Sequence, residues 1–77
     1  GITTTSFMID GETIAVNDST VIDNSIIEDS RGVELDIVDQ PLGDIDEDLT
    51  ELLVEGNIYV VVVDRSSGSP VAVEIED

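Results

Sequence analysis

The stretch DIDEDLTELLVEGNIYVVVVD, residues 44–64, decides the predicted fold, because it joins a short helix to a strongly apolar segment. Leu49, Leu52 and Leu53 follow the i, i+3, i+4 spacing that places side chains on one face of a helix. Acidic residues crowd the N-terminal side of this segment, where free backbone N–H groups and the helix dipole favour negative charge. These features predict a helix over about residues 46–55.

Both ends of this helix, and the strand after it, are predicted from the same stretch. Asp46 or Asp48 is the expected N-cap, because a carboxylate there accepts hydrogen bonds from free N–H groups of the first turn. Gly56 follows the last leucine and can adopt the left-handed conformation that ends a helix. Residues 58–63 include four consecutive valines, which favour a strand, and a run apolar on both faces indicates burial on both faces. We therefore predict a central strand with its valines in the core.

The rest of the chain consists of short β-branched segments separated by turn signals. Strands are predicted over residues 2–9, 12–16, 33–38 and 71–76. Residues 20–27 are predicted as two short extended pieces around a turn. Asp10-Gly11 has the composition of a two-residue hairpin turn. Pro41 indicates a loop over residues 39–43.

The order of these elements predicts a mainly β fold with one short helix before the penultimate strand. The expected architecture is a small five- to six-stranded OB-like barrel, and a β-grasp or an open β-sandwich is the alternative. The sequence shows no internal repeat or linker, so residues 1–77 are expected to form a single β-barrel domain. Alternation in residues 71–76 places Val71, Val73 and Ile75 on one face of the last strand.

Charge is the most unusual feature of the sequence. Its 77 residues include 19 acidic side chains and two basic ones, Arg31 and Arg65, for a formal net charge of −17. We expect no nucleic-acid ligand, because affinity for nucleic acid comes from Lys and Arg that neutralise phosphates. The acidity fits either a saline or cell-surface setting or a protein that binds a basic partner. No segment approaches the ~20 apolar residues of a membrane span, so membrane insertion is not expected.

The sequence lacks the side chains on which most enzyme mechanisms depend. It contains no Cys, His or Lys, so it offers no disulfide, no Cys- or His-based metal site and no such base to activate a Ser or Thr nucleophile. Aromatic residues make up 3% of the chain, which leaves little to line a sugar-binding cleft. We therefore predict that the protein is not an enzyme and that it has no cofactor.

One acidic motif matches part of a metal-binding template. Asp44, Asp46, Asp48 and Glu55 stand at positions 1, 3, 5 and 12 of a calcium-binding loop. Leu49 stands at position 6, where the template needs Gly for a sharp turn. The pattern favours a capped acidic helix, and it leaves weak calcium binding by the three aspartates as the metal-site hypothesis.

Four scaffold patterns are spread over most of the chain. They are FxIxGxxIxV (residues 7–16), STVI (19–22), LxxL followed by EGN (49–57) and PVAVEI (70–75). Together they resemble a family of small secreted bacterial domains of unknown function, from which Asn57 and a long insert over residues 23–38 depart. The resemblance implies an OB-like barrel in an exported or surface protein. It implies no catalytic or binding residue.

These features predict a non-enzymatic structural or interaction module that is extracellular or displayed at the cell surface. Residues 2–6 and 71–75 are the expected edge strands, through which the module would bind a protein partner or self-assemble by strand addition. The alternatives are an acidic cation- or ligand-binding domain and a halophilic intracellular adaptor.

Overall fold

The chain folds into one mixed sheet with a short helix. The structure is a computed structural model that describes the backbone of residues 1–28 and 31–76, and the side chains of these residues except 24–28 and 35. Within this part of the chain there are six strands, one α-helix and one 3₁₀ turn. They are β1 (Ser6–Ile9), β2 (Glu12–Ala15), β3 (Val21–Glu28), β4 (Glu34–Pro41), the 3₁₀ turn (Leu42–Asp44), α1 (Leu49–Leu52), β5 (Val60–Asp64) and β6 (Val71–Glu76).

The predicted class is confirmed, but the predicted closure is not. The fold is mainly β with one short helix before the penultimate strand. The strand order is β1-β2-β6-β3-β4, with β5 paired to β6. Over the described residues this sheet is not closed into a barrel.

β6 is the central strand of the sheet. It pairs antiparallel with β5 along its whole length and parallel with β3 through three residue pairs. At its N-terminal end Val71 also pairs with Ala15 of β2. The expectation that residues 71–75 form an edge strand is therefore wrong, because both sides of β6 carry partners.

The central position predicted for residues 58–63 is also wrong. β5 pairs with β6 alone in the described part of the chain, so it is an edge strand. Val61 and Val63 are half-buried against the core, whereas Val60 and Val62 are exposed. Consecutive valines favour an extended backbone wherever it lies, and they do not determine how many partners that backbone has.

A β-bulge changes which side chains of β6 face the core. Val62 pairs with Glu74 and Val63 pairs with Ala72, so Val73 is the extra residue on β6. Ala72 and Ile75 are consequently both buried, although strict alternation would place them on opposite faces. The prediction that Val73 shares a face with Ile75 fails for this reason.

The leucine face of α1 is confirmed. Leu49, Leu52 and Leu53 are buried in the core, and the backbone N–H of Glu51 donates to the Asp48 side chain, which N-caps the helix. The helix is shorter than predicted, because the backbone becomes extended at Leu53. The core is completed by the remaining buried apolar residues Phe7, Ile14, Val16, Ile22, Ile37, Ala72 and Ile75.

The N-terminal hairpin forms around the predicted turn, but β1 is shorter than expected. Asp10 and Gly11 both have positive φ, as a two-residue hairpin turn requires. Upstream, Thr3 and Ser6 close a turn, with the Thr3 N–H donating to the Ser6 carbonyl at 2.8 Å and the Ser6 N–H donating to Thr3 Oγ1 at 3.0 Å. The hydroxyl competes with strand pairing, so residues 2–5 do not continue the strand, which begins at Ser6. Ile2 still forms an isolated bridge with Phe7.

β3 and β4 form a longer and less regular hairpin than predicted. β3 is one strand, and register shifts against β4 replace the expected turn within residues 20–27. β4 extends through Pro41, which pairs with Val21 and was predicted to lie in a loop. A proline is tolerated there because β4 is an edge strand.

Candidate functional site

The most unusual surface of the molecule is the open edge of β5. Along this edge Ile58, Val60 and Val62 expose 87%, 57% and 48% of their surface. The backbone groups on the outer side of β5 have no strand partner among the described residues. A sheet edge that is both unpaired and apolar is a template for another strand.

The edge formed by β4 is built differently. It carries the exposed acidic residues Glu34, Asp36 and Asp39, and Pro41 ends it. Asp39 has a positive φ of 49°, and the register against β3 shifts nearby. Charges, proline and bulges are the devices by which natural sheets prevent edge-to-edge pairing. β4 has all three, whereas β5 has a single charge, Asp64, and the extra residue of its register shift, Val73, lies on β6.

A groove of about 420 Å³ lies beside β5 on the core side of the sheet. Its apolar lining comes from both ends of the chain and includes Ile2, Phe7, Leu53, Tyr59, Val61 and Ile75. Among the described residues that line the groove, Glu55 carries the one carboxylate. The backbone N–H of Val54 donates to the Tyr59 hydroxyl at 3.0 Å, which holds the loop before β5 in place.

The opposite face of the sheet carries carboxylates next to β5. Glu76 and Glu74 pair across the strands with Val60 and Val62. Carboxylate oxygens of Glu74, Asp23 and Asp39 lie within 4.8 Å of one another. Partial burial, followed by the negative charges of Glu76, Asp23 and Asp39, raises the pKa of Glu74. We name Asp23, Asp39, Glu74 and Glu76 the acidic face.

The predicted calcium ligands occupy three different settings. Asp44 ends the 3₁₀ turn, Asp46 lies in a bend, and Asp48 caps α1. Asp46 and Asp48 line a shallow hollow of about 340 Å³ together with Asp18 and Glu47, but Asp44 does not line it.

Asp48 is already engaged in that hollow. Its carboxylate accepts hydrogen bonds from the Thr50 hydroxyl and the Glu51 backbone N–H, and these bonds, the Thr50 one first, lower the pKa of Asp48. Glu47 has one buried carboxylate oxygen without a hydrogen-bond partner among the described atoms, while its other oxygen lies 3.9 Å from Arg31 Nη2. Calcium binding by Asp44, Asp46 and Asp48 stays a prediction.

Both arginines lie beside carboxylates. Arg65 donates from Nη1 and Nη2 to the two oxygens of Glu12 at 2.6 and 2.7 Å. This pair connects the residue after β5 to the first residue of β2, and its hydrogen bonds lower the pKa of Glu12. The acidic face therefore has no contribution from Arg65.

Two features of this site could not be recognised in the sequence. The residues of the acidic face are distant along the chain, and strand pairing among β3, β4 and β6 brings them together. The β5 edge was missed because its valines indicated burial. Asp23, Asp39 and Glu74 had no local spacing that would have indicated their proximity.

No helix in the described ranges 1–28 and 31–76 is long and apolar enough to cross a membrane. Comparisons of the chain with protein-family models, curated proteins and solved structures find no match. The resemblance to small secreted bacterial domains therefore stays a prediction.

Proposed function

We propose that this chain is a non-enzymatic interaction module that binds an extended polypeptide segment by strand addition at β5. The observation that supports the proposal is the contrast between edges: the outer edge of β5 is apolar and has no strand partner among the described residues, whereas β4 carries charges and a proline. In strand addition the main chain supplies affinity and alternate side chains supply specificity. The open edge of β5 offers the main-chain hydrogen-bonding groups, and the groove beside it offers a pocket for side chains.

The geometry of β5 defines how an added strand would lie. Successive side chains of the added strand would point to opposite faces of the sheet. One set would face the groove, on the side of Val61 and Val63, and the other set would lie on the side of Val60 and Val62. The added strand comes either from a second copy, which would produce self-assembly, or from a different protein. Strand addition at β5 is common to both cases.

Several sequence-based expectations are part of this proposal. We propose that the module is exported or displayed at the cell surface and that its open sheet is related to OB-like barrels. The alternative proposals are a halophilic intracellular adaptor and a cation-binding domain that uses Asp44, Asp46 and Asp48.

The proposal is tested by selecting short peptides from a random display library against the whole chain at about 0.15 M NaCl. Selected peptides are then titrated while amide hydrogen exchange is followed. Successive N–H groups of a strand point to opposite sides, so an added strand should protect alternate amides within Val60–Asp64. Selected peptides that leave these amides unchanged would contradict the proposal.

Two variants with matched chemistry locate the contact. Val60→Thr/Val62→Thr keeps the β-branched side chains of the edge but removes two exposed methyl groups, and it should weaken selected peptides about tenfold. Val33→Thr/Val38→Thr makes the same change at two exposed valines in and beside β4. This control should bind as the parent chain does, and an equal loss in both variants would contradict binding at β5.

A further inference from the structure

We infer that the strand accepted by β5 belongs to a basic partner, an extended segment in which large apolar residues alternate with Lys or Arg. This inference rests on the proposed strand addition and adds the chemistry of the partner. It follows from the difference between the two faces that meet at β5. One face offers an apolar groove, and the other offers the acidic face.

The groove selects the apolar positions of the added strand. Val61 is directly opposite Ile75, and both side chains line the groove. Phe7 and Leu53, which are buried in the core, also contribute to its lining. Side chains that enter from an added strand at every second position would therefore meet a surface that is more apolar than polar. Large aliphatic or aromatic residues are the side chains that gain most from burial there.

The acidic face selects the residues at the alternate positions of the added strand, between its apolar residues. An added strand lies about 4.8 Å from β5 and therefore about 9.6 Å from β6, which carries Glu74 and Glu76. Only a long side chain can bridge that gap. Lys and Arg can lay their methylene stems over Val60 and Val62 and bring their charge to the two glutamates. Asp23 and Asp39, clustered with Glu74, add to the attraction.

Charge also argues against a second copy as the partner. Each copy has a formal net charge of −17, so pairing two β5 edges would place two acidic faces side by side. Arg65, the basic residue next to β5, already pairs with Glu12. The charge around the edge therefore favours a cationic segment from a different protein.

The test compares four synthetic peptides on the whole chain at about 0.15 M NaCl. The first alternates Val or Ile with Lys or Arg. Thr replaces the cationic residues in the second, Glu replaces them in the third, and the fourth has the composition of the first in a scrambled order. The cationic alternating peptide should bind at least about tenfold more tightly than the Thr peptide and protect alternate β5 amides.

Two variants of equal charge separate local recognition from general attraction. Glu74→Gln/Glu76→Gln should sharply reduce the preference for the cationic peptide, with Asp23 and Asp39 still in place, and leave the affinity for the Thr peptide unchanged. Glu34→Gln/Asp36→Asn removes the same charge from β4 and should keep the preference. Equal losses in the two variants would overturn the inference, because they would indicate diffuse attraction to a negative molecule.

The remaining outcomes distinguish this inference from the proposed function. If the Thr and cationic peptides protect β5 equally, the basic partner is wrong and strand addition stands. If no peptide protects β5, strand addition itself is wrong. If the chain self-associates at about 0.15 M NaCl with the same alternate protection, the occupant is a second copy and the inference is overturned. A scrambled peptide that binds as well as the alternating one would also overturn it.

Discussion

β5 and β6 pair with each other along their length, yet they have opposite places in the domain. β5 contains four valines in succession and has one strand partner among the described residues. β6 contains two glutamates and has three partners, β2, β3 and β5. The more apolar strand is the more exposed one. Apolar content therefore favoured an extended conformation, whereas the number of pairing partners determined burial.

The difference between the strands suggests what each contributes. Ala72 and Ile75 of β6 are almost inaccessible to solvent and belong to the core. The exposed valines of β5 contribute less to stability, because much of their surface stays in water. Exposed valines on an unpaired edge increase the risk of aggregation, and an interaction surface is a physical reason to keep them there.

The largest expected effect is at the centre of β6. Ile75 has no exposed surface, so Ile75→Ala should leave a cavity and lower the free energy of unfolding by about 2–5 kcal/mol. Val62→Ala on β5 is the control and should cost less than about 1 kcal/mol, because its site is half-exposed. Urea unfolding of both variants measures the difference. Similar losses would show that the two strands do not differ as described.

A smaller effect is expected where the chain before β3 is joined to β6. Thr20 is fully buried, and its hydroxyl donates to the Ala72 carbonyl at 2.8 Å and accepts from the Asn17 N–H at 3.1 Å. Thr20→Val should cost about 1–3 kcal/mol, because the Asn17 N–H and the Ala72 carbonyl both lose this partner. Thr20→Ser keeps the hydroxyl and should lose less. If urea unfolding shows no difference between the Val and Ser variants, the hydrogen bonds do not stabilise β6.

The smallest expected effect is a gain in stability when Glu74, on the acidic face, is replaced by Gln. The pKa of Glu74 is raised above its ordinary value of 4.5 in the folded chain, so the unfolded chain releases this proton first as pH rises. Stability from Glu74 is therefore present below about pH 4.5 and is lost as pH rises through the folded pKa. Glu74→Gln should raise Tm at about pH 7 and have little effect well below pH 4.5.

A charge control sharpens that measurement. Asp36→Asn removes one exposed carboxylate of β4 that does not belong to the acidic cluster of Asp23, Asp39 and Glu74. It should raise Tm less than Glu74→Gln does at neutral pH. An equal rise would assign the effect to net charge rather than to crowding on the acidic face.

The features that the sequence predicted correctly are local ones. The Asp10-Gly11 turn, the leucine face of α1 and the Asp48 cap each depend on residues within a few positions of one another. The last strand was also predicted with its correct bounds, because its alternation is bounded by Pro70.

The errors that matter most for the site concern pairing between distant segments. β5 lies at an edge because β6, and not β5, takes the central place between the other strands. No spacing within residues 58–63 indicates this arrangement. The bulge at Val73 is likewise a property of the pair β5–β6 rather than of either strand. The acidic face required the same long-range pairing, so its residues could not be singled out among the 19 acidic side chains.

β6 is central to the sheet but is synthesised after the strands that it joins, and this order affects when the domain can form during synthesis. The hairpins β1–β2 and β3–β4 are local and can pair soon after they emerge from the ribosome. The pairs Ala15–Val71 and Ile22–Ile75 must wait for the later strand, several seconds at roughly 5–20 residues per second. Until then the hairpins have no common core. The two hairpins are therefore exposed separately during that interval, and repulsion among their carboxylates opposes association between neighbouring nascent chains.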